Sequence, residues 1–263
     1  MANVLITGAA SGIGKAVKDY YLNNGHNVYA LDINSIDDQD NLTSFVLDIT
    51  NEESLLKVKQ YFVDNNVTLD LIINVAGIHK MASLVENDYN QMKKVIDINL
   101  CGTMLVNNVF HDRLDKKGRI IIVTSEVASF NPMPFNGLYN ISKTALDCYA
   151  QALRQELNLI GQKVITIRPG AIETPLSNKS MVDTKNLADT TKLYKKQANK
   201  FVNIATKFMG KPLKPEVLAK LIYKVSFKKN PKYIYKKHQN IGLVLLDILP
   251  LRLQCAVIKL LLK

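Results

Sequence analysis

The chain predicts an α/β fold: a doubly wound parallel sheet covered by helices on both faces. Three observations carry that prediction. Short continuous runs rich in Val, Ile and Leu alternate with helical patterns, and strands buried on both faces read this way. The first run passes directly into a glycine-rich turn that opens a helix. No internal repeat or low-complexity segment interrupts the alternation.

Taken in order, residues 3–7 form the first strand, and a helical pattern runs from the glycine turn to about residue 24. Runs at 28–31, 45–47, 69–73, 120–124 and 164–167 supply further strands. Helical patterns separate them at about 52–64, 87–97, 100–115 and 140–160. Crossovers between parallel strands are right-handed. After Pro175 the rhythm changes. Residues 177–212 are polar, Lys-rich and helical with no strand between them, which predicts a substrate lid. Pro215 sits where the first turn of a helix over 216–227 begins. A short strand near 233–235 follows, and residues 241–263 form an amphipathic helical extension. The organisation is one domain over 1–240, carrying the lid, plus that extension.

Composition narrows the class. With 47% hydrophobic and 22% charged residues the chain is globular rather than disordered. Three cysteines, Cys101, Cys148 and Cys255, are too few and too scattered for a disulfide framework or a zinc site. No metal is expected, and free thiols fit a reducing cytoplasm. The N-terminus lacks the charged and apolar regions of a signal peptide. No uncharged apolar stretch reaches the ~18 residues of a membrane span. The formal net charge is +11, but unevenly placed: residues 1–150 hold 12 basic and 17 acidic side chains, residues 151–263 hold 22 and 6. The basic third predicts a surface that meets something anionic.

The glycine turn reads Thr7-Gly8-Ala9-Ala10-Ser11-Gly12-Ile13-Gly14. Glycines at such a strand–helix junction let the backbone approach a pyrophosphate, and the helix N-terminus offers free N–H groups. Asp32 ends the second strand, 24 residues after Gly8. A carboxylate there accepts hydrogen bonds from the adenine-ribose hydroxyls and repels a 2′-phosphate, so NAD(H) is expected over NADP(H). Asp37, Asp38 and Asp40 add to that negative field. Lys15 is the nearest counter-argument, but it follows the last glycine, inside the helix.

Tyr139 and Lys143 are four residues apart and share one helix face. A nearby ammonium favours the phenolate and lowers the tyrosine pKa. The strand before them ends in Thr124-Ser125, and the Ser125 hydroxyl can bond a carbonyl or alcohol oxygen.

These segments together resemble the short-chain dehydrogenase/reductase family, of a hydroxysteroid-dehydrogenase-like kind, over essentially residues 2–235. Residues 7–14 resemble its cofactor glycine motif. Asp48 with Ile49 matches the pair that frames the adenine. Asn74-Val75-Ala76-Gly77 matches its Asn-Asn-Ala-Gly motif, with Val in second place. Asn99, Ser125, Tyr139 and Lys143 match the catalytic tetrad. Pro169-Gly170, with Ile172 and Thr174, matches the segment that holds the nicotinamide carboxamide. The resemblance implies a Rossmann-type fold and the following roles. Tyr139 is the general acid/base, and Ser125 positions the substrate oxygen. Lys143 lowers the tyrosine pKa and binds the nicotinamide ribose. Asn99 anchors a water in a proton relay. Glycines 8, 12 and 14, Ser11, Ile13, Asp32, Asn74, Ala76 and Gly77 face the cofactor. One departure stands out: Ser125 precedes Tyr139 by 14 residues, one more than the commonest family spacing, so Glu126 competes for the serine position.

The implied reaction is hydride transfer between NAD(H) and a secondary alcohol or ketone. Glu126, Phe135, Ala171 and Leu176 are candidate pocket residues, and the apolar loop before Tyr139 favours a steroid or long-chain substrate. A second reading is a 3-oxoacyl-thioester reductase, whose basic third would dock an acidic carrier protein. A third is a non-catalytic nucleotide-sensing or membrane-surface protein on the same fold. In residues 250–263, Arg252, Lys259 and Lys263 fall at i, i+7 and i+11 on one narrow face, with leucines filling the remainder. Such a helix lies in a membrane interface, or packs on its own domain or on a second subunit. A homodimer or homotetramer is expected from the family's habit of C-terminal subunit contacts. Nucleic acid is not an expected partner, because no binding module appears and the lysines are not interleaved with aromatics. The expected location is cytoplasmic, with or without peripheral membrane contact through residues 240–263.

Overall fold

Strand β1 (Asn3–Thr7) alternates its side chains between two cores. Leu5 enters one and Val4 and Ile6 the other, all three fully buried. The same two-sided burial recurs in β2 (Asn27–Asp32), β4 (Leu69–Asn74), β5 (Leu114–Val123) and β6 (Lys163–Pro169). In this computed structural model residues 1–208 and 210–263 are described. Met209, inside the predicted lid, and the Phe208 side chain lie outside the described residues.

Edge strands β3 (Leu42–Val46) and β7 (Ile234–Lys237) complete a seven-stranded sheet in the order β3-β2-β1-β4-β5-β6-β7, and every pairing is parallel. The chain direction across the sheet reverses between β1 and β4, the switch point at which open α/β sheets bind ligands. Helices α1 (Gly12–Leu22), α2 (Glu52–Asp64), α3 (Tyr89–Ile96), α4 (Thr103–Phe110) and α5 (Gly137–Asn158) cover the sheet with α9 (Pro215–Ser226). The lid consists of α6 (Pro175–Lys185), α7 (Leu187–Thr190) and α8 (Lys195–Phe208). The tail forms α10 (Ile241–Asp247) and α11 (Leu251–Leu262).

Two boundaries differ from the sequence expectation. The helices expected at 87–97 and 100–115 are one continuous element, because a π-helical segment at Asp97–Gly102 joins α3 to α4. Strand β5 begins at Leu114 rather than near residue 120. Its register jumps from Leu69–Leu114 to Leu71–Arg119, so polar residues 115–117 bulge out of the ladder and carry no buried-strand signal. Among the described residues no helix is long and apolar enough to cross a membrane.

A third cluster ties lid and tail together. Phe135, Met81, Leu187, Ala198, Phe201 and Leu262 pack as one buried group, with Ile258 against it. The tail therefore rests on the protein's own lid along Ile258 and Leu262, spaced i and i+4, while the buried Gln254 one turn earlier meets Asn131.

Candidate active site

The glycine turn forms a cradle that only glycine permits. Gly8 and Gly12 have φ of +69° and +53°. A Cβ on Gly8 would stand 2.9 Å from the Ala76 backbone, and one on Gly14 only 1.9 Å from the Gly8 carbonyl oxygen. Ser11 begins α1 without a side-chain capping bond, so the first-turn amides remain available to an outside acceptor. Ile13 packs down against the core. Thr174, which caps α6 reciprocally with Ser177, lies across the cradle, 3.1 Å from a Cβ built on Gly12. A dinucleotide pyrophosphate fits this arrangement: small residues where its oxygens approach, amides and a helix dipole facing it.

Asp32 is buried at the rim of the cradle. Its Oδ2 accepts from the Ala10 N–H at 2.9 Å and its Oδ1 from the Asn34 N–H at 2.9 Å. Lys15 does not reach it, for its ammonium pairs with Asp19 at 2.5 Å. Asp48 stands exposed and turns its carboxylate to Thr50, while Ile49 is buried against Gly102. Asn74 donates to Asn107 Oδ1 at 2.8 Å, and its own Oδ1 is buried without a partner among the described residues. The Thr7 hydroxyl accepts from the Val75 and Ala76 amides at 3.1 and 3.2 Å, which binds the Asn-Val-Ala-Gly turn to β1.

The four tetrad candidates converge beyond that turn. Asn99 sits in the π-helical segment, whose wider coil gives its side chain room to reach sideways. Its amide donates to the Ile78 carbonyl and to Ser142 Oγ, both at 2.9 Å, and accepts from the Ile78 N–H at 2.7 Å. A Cβ on Gly77 would touch both Asn99 Oδ1 and Lys143 Nζ, at 3.0 and 3.3 Å. Tyr139 hydrogen-bonds Ser125, whereas the Glu126 carboxylate accepts from the Asn240 N–H at 2.6 Å. Ser125 is thus the side chain bonded to the Tyr139 hydroxyl, and the Glu126 carboxylate is turned to the start of the tail. Lys143 donates to the Val123 carbonyl at 3.4 Å and lies 5.9 Å from the Tyr139 ring centroid.

Burial sets the electrostatics. It pushes Tyr139 up to about 12, against the lowering bond from Ser125 and with Glu126 raising it further. Burial likewise brings Lys143 down to about 8. The expected lowering of the tyrosine pKa by the ammonium is therefore outweighed, since desolvation of both groups dominates. Tyr139 is a neutral phenol at neutral pH, suited to donate a proton.

The remaining candidates fall around this centre. Pro169 ends β6, and a Cβ on Gly170 would lie 1.8 Å from the His238 carbonyl oxygen. Ile172 is buried and bridges to Leu213, and Ala171 O accepts from the Leu213 N–H at 3.0 Å. Leu176 is half-buried in the first turn of α6. Phe135, at φ +65°, is buried edge-on against Tyr194 and Phe201. It packs the lid, and Glu126 fastens the start of the tail. A cavity of about 610 Å³ between α4 and α5 is lined by Met104, Tyr149 and Leu153 and does not include Tyr139.

Two features escaped sequence reasoning. His79 lies with its ring centroid 4.3 Å from that of Tyr139 and its Nε2 3.0 Å from Asn136 Oδ1. Its Nδ1 is buried without a partner among the described residues. The only signal was a lone histidine two residues after the Gly77 motif. Arg168, from β6, grips Asp147 on α5 through two bonds of 2.8 and 2.6 Å, fixing the helix that carries Tyr139 and Lys143. Nothing local announces that pair.

Fold and cluster define an oxidoreductase built on a dinucleotide-binding sheet. The short chain dehydrogenase family model matches residues 2–185, and the chain belongs to the short-chain dehydrogenase/reductase family. It is 36% identical over 186 residues to the NADPH-dependent 1-acyldihydroxyacetone phosphate reductase of Schizosaccharomyces pombe, across 68% of this chain and 62% of that relative. It is 26% identical to the 3-ketodihydrosphingosine reductase of Bacteroides thetaiotaomicron, across 88% of this chain and 85% of the relative. A short chain dehydrogenase family protein from Francisella tularensis superposes with a TM-score of 0.73 at 26% identity, covering 90% of this chain and 97% of that one.

Proposed function

We propose that this protein is an NAD(H)-dependent reductase/dehydrogenase acting on a lipophilic ketone or secondary alcohol. The observation that carries the reading is the convergence of Tyr139, Ser125, Lys143 and Asn99 beside the glycine cradle. When bound, the nicotinamide supplies or accepts the hydride. In the reducing direction the Tyr139 phenol gives its proton to the substrate oxygen while Ser125 Oγ holds that oxygen by a hydrogen bond. Lys143, whose ammonium lies beside Gly77, would hold the ribose hydroxyls of the bound cofactor, and solvent would return the proton that Tyr139 gives.

A long apolar substrate is in keeping with the apolar character of the segment before Tyr139, with Phe130, Met133 and Leu138. The names of two relatives also support it, since one specifies reduction of an acyl-bearing compound and the other of a 3-keto compound. For the cofactor, the buried Asp32 carboxylate sets a negative charge at the cradle rim where a 2′-phosphate would lie. The name of the yeast relative specifies NADPH, so the Asp32 argument is open to direct test. Titration of cofactor fluorescence is expected to give tighter binding for NADH than for NADPH, and Asp32→Ala should narrow the gap. The opposite order would refute the argument. A screen of long-chain and steroid ketones for NADH oxidation tests the substrate class, and turnover confined to small polar ketones would overturn it.

A further inference from the structure

The tail packs on the lid with one face and leaves another uncovered. In α10 and its C-terminal cap, Ile241, Leu245 and Ile248 fall at i, i+4 and i+7 and are 74%, 61% and 73% exposed. In α11, Gln254, Ile258 and Leu262 take the inward face, and Leu253 and Leu260 lie opposite, Leu260 being 80% exposed. Arg252, Lys259 and Lys263, all exposed, run beside that apolar strip at i, i+7 and i+11. The only acid in residues 240–263 is Asp247, and its carboxylate faces the Asn131 amide groups.

We propose that α10 and α11 form a platform that lies in the interface of an anionic phospholipid bilayer. A strip of large apolar side chains flanked by fixed cations is the pattern that sinks into the headgroup boundary, and the flanking cations draw it to anionic lipid. Charge complementarity favours this occupant over a second copy of the chain. Two such faces brought together would oppose Arg252, Lys259 and Lys263 with no free acid to answer them. The helices are also too short to span a bilayer, so they lie along it.

The platform is joined to the candidate active site. Asn131, in the loop before Tyr139, donates to Gln254 Oε1 at 3.1 Å, and Glu126 accepts from the Asn240 N–H. Leu262 is part of the lid core. A bilayer held at this face therefore stands beside the lid through which a lipophilic substrate would pass. The contact itself does not depend on the reductase reading.

The experiment is co-sedimentation of the full chain with phosphatidylcholine vesicles, with and without phosphatidylserine. Binding is expected to require phosphatidylserine, to weaken as salt rises, and to fall at least roughly tenfold in both the Leu253→Glu/Leu260→Glu and Arg252→Glu/Lys259→Glu variants. Circular dichroism and NADH titration, unchanged in both variants, exclude misfolding. Absence of binding to the anionic vesicles would overturn the proposal, as would undiminished binding by either variant. So would a dimer in analytical ultracentrifugation that Leu253→Glu/Leu260→Glu dissolves without any vesicle binding, a result that gives the face to a second copy. Turnover of a small water-soluble ketone is read in parallel, which separates failure of the platform from failure of the reductase reading.

Discussion

His79 offers a quantitative handle on the site. Its Nε2 faces Asn136 Oδ1, which only accepts, so Nε2 carries the hydrogen and Nδ1 holds a buried lone pair. Burial brings its pKa from 6.5 to about 4, with Asn136 and Asp183 raising and Lys143 lowering it. The folded protein thus refuses a proton that the unfolded chain takes. Stability is unaffected by His79 above its unfolded pKa and falls as pH drops from 6.5 toward 4. By linkage the loss is about 2 kcal/mol at about pH 5 and about 3 kcal/mol once both states are protonated. In His79→Phe the ring remains against Tyr139 and the titrating group is gone. At neutral pH the variant should stay within about 1 kcal/mol of the parent, the worth of the lost Asn136 bond. Its acid limb should be shallower by the amounts above. Urea unfolding followed by circular dichroism, since the chain has no tryptophan, measures both curves. Parallel acid limbs in parent and variant would refute the argument and show that His79 does not stay neutral in the folded site.

Four further outcomes are expected. Tyr139→Phe should lower turnover by about 100- to 10,000-fold while NADH titration is unchanged. Gly14→Ala should abolish cofactor binding, measured by the same titration, because its Cβ meets the rigid Gly8 carbonyl at 1.9 Å. Asp147→Ala should cost about 3 kcal/mol in urea unfolding, since it leaves the nearly buried Arg168 guanidinium uncompensated, and Asp147→Leu/Arg168→Met should recover most of that. The kcat/KM for ketone reduction should decline as pH rises through about 8, where Lys143 loses its proton, and Lys143→Arg should remove that limb from whatever turnover remains.

What the sequence made legible was local. The glycine cradle, Asp32 at a strand end and the Tyr139–Lys143 spacing are all contained within a strand, a turn or a helix, and periodicity places them. The strands of the central sheet were legible because they are buried on both faces and so read as unbroken apolar runs. The early start of β5 was not, because residues 115–117 are polar and bulge outward. Contacts between distant segments were equally silent: Arg168 with Asp147, Asn131 with Gln254, and Glu126 with Asn240. Glu126 and Phe135 stood near the catalytic loop in the sequence, and proximity alone suggested a pocket. Tertiary structure gives one to the tail and the other to the lid core.

The electrostatics of Tyr139 and Lys143 show why spacing and energetics must be argued separately. Spacing predicts that an ammonium beside a phenol lowers its pKa, and that would hold on a solvated helix. Here both groups are set into the folded protein, and each loses hydration in its charged form. Tyr139 rises to about 12 and Lys143 falls to about 8. Burial is the largest influence on each group, and the ammonium, 5.9 Å from the ring centroid, does not offset it. The same enclosure keeps Tyr139 a neutral phenol at neutral pH, so the group that the sequence marks as an acid/base holds its proton in the folded site.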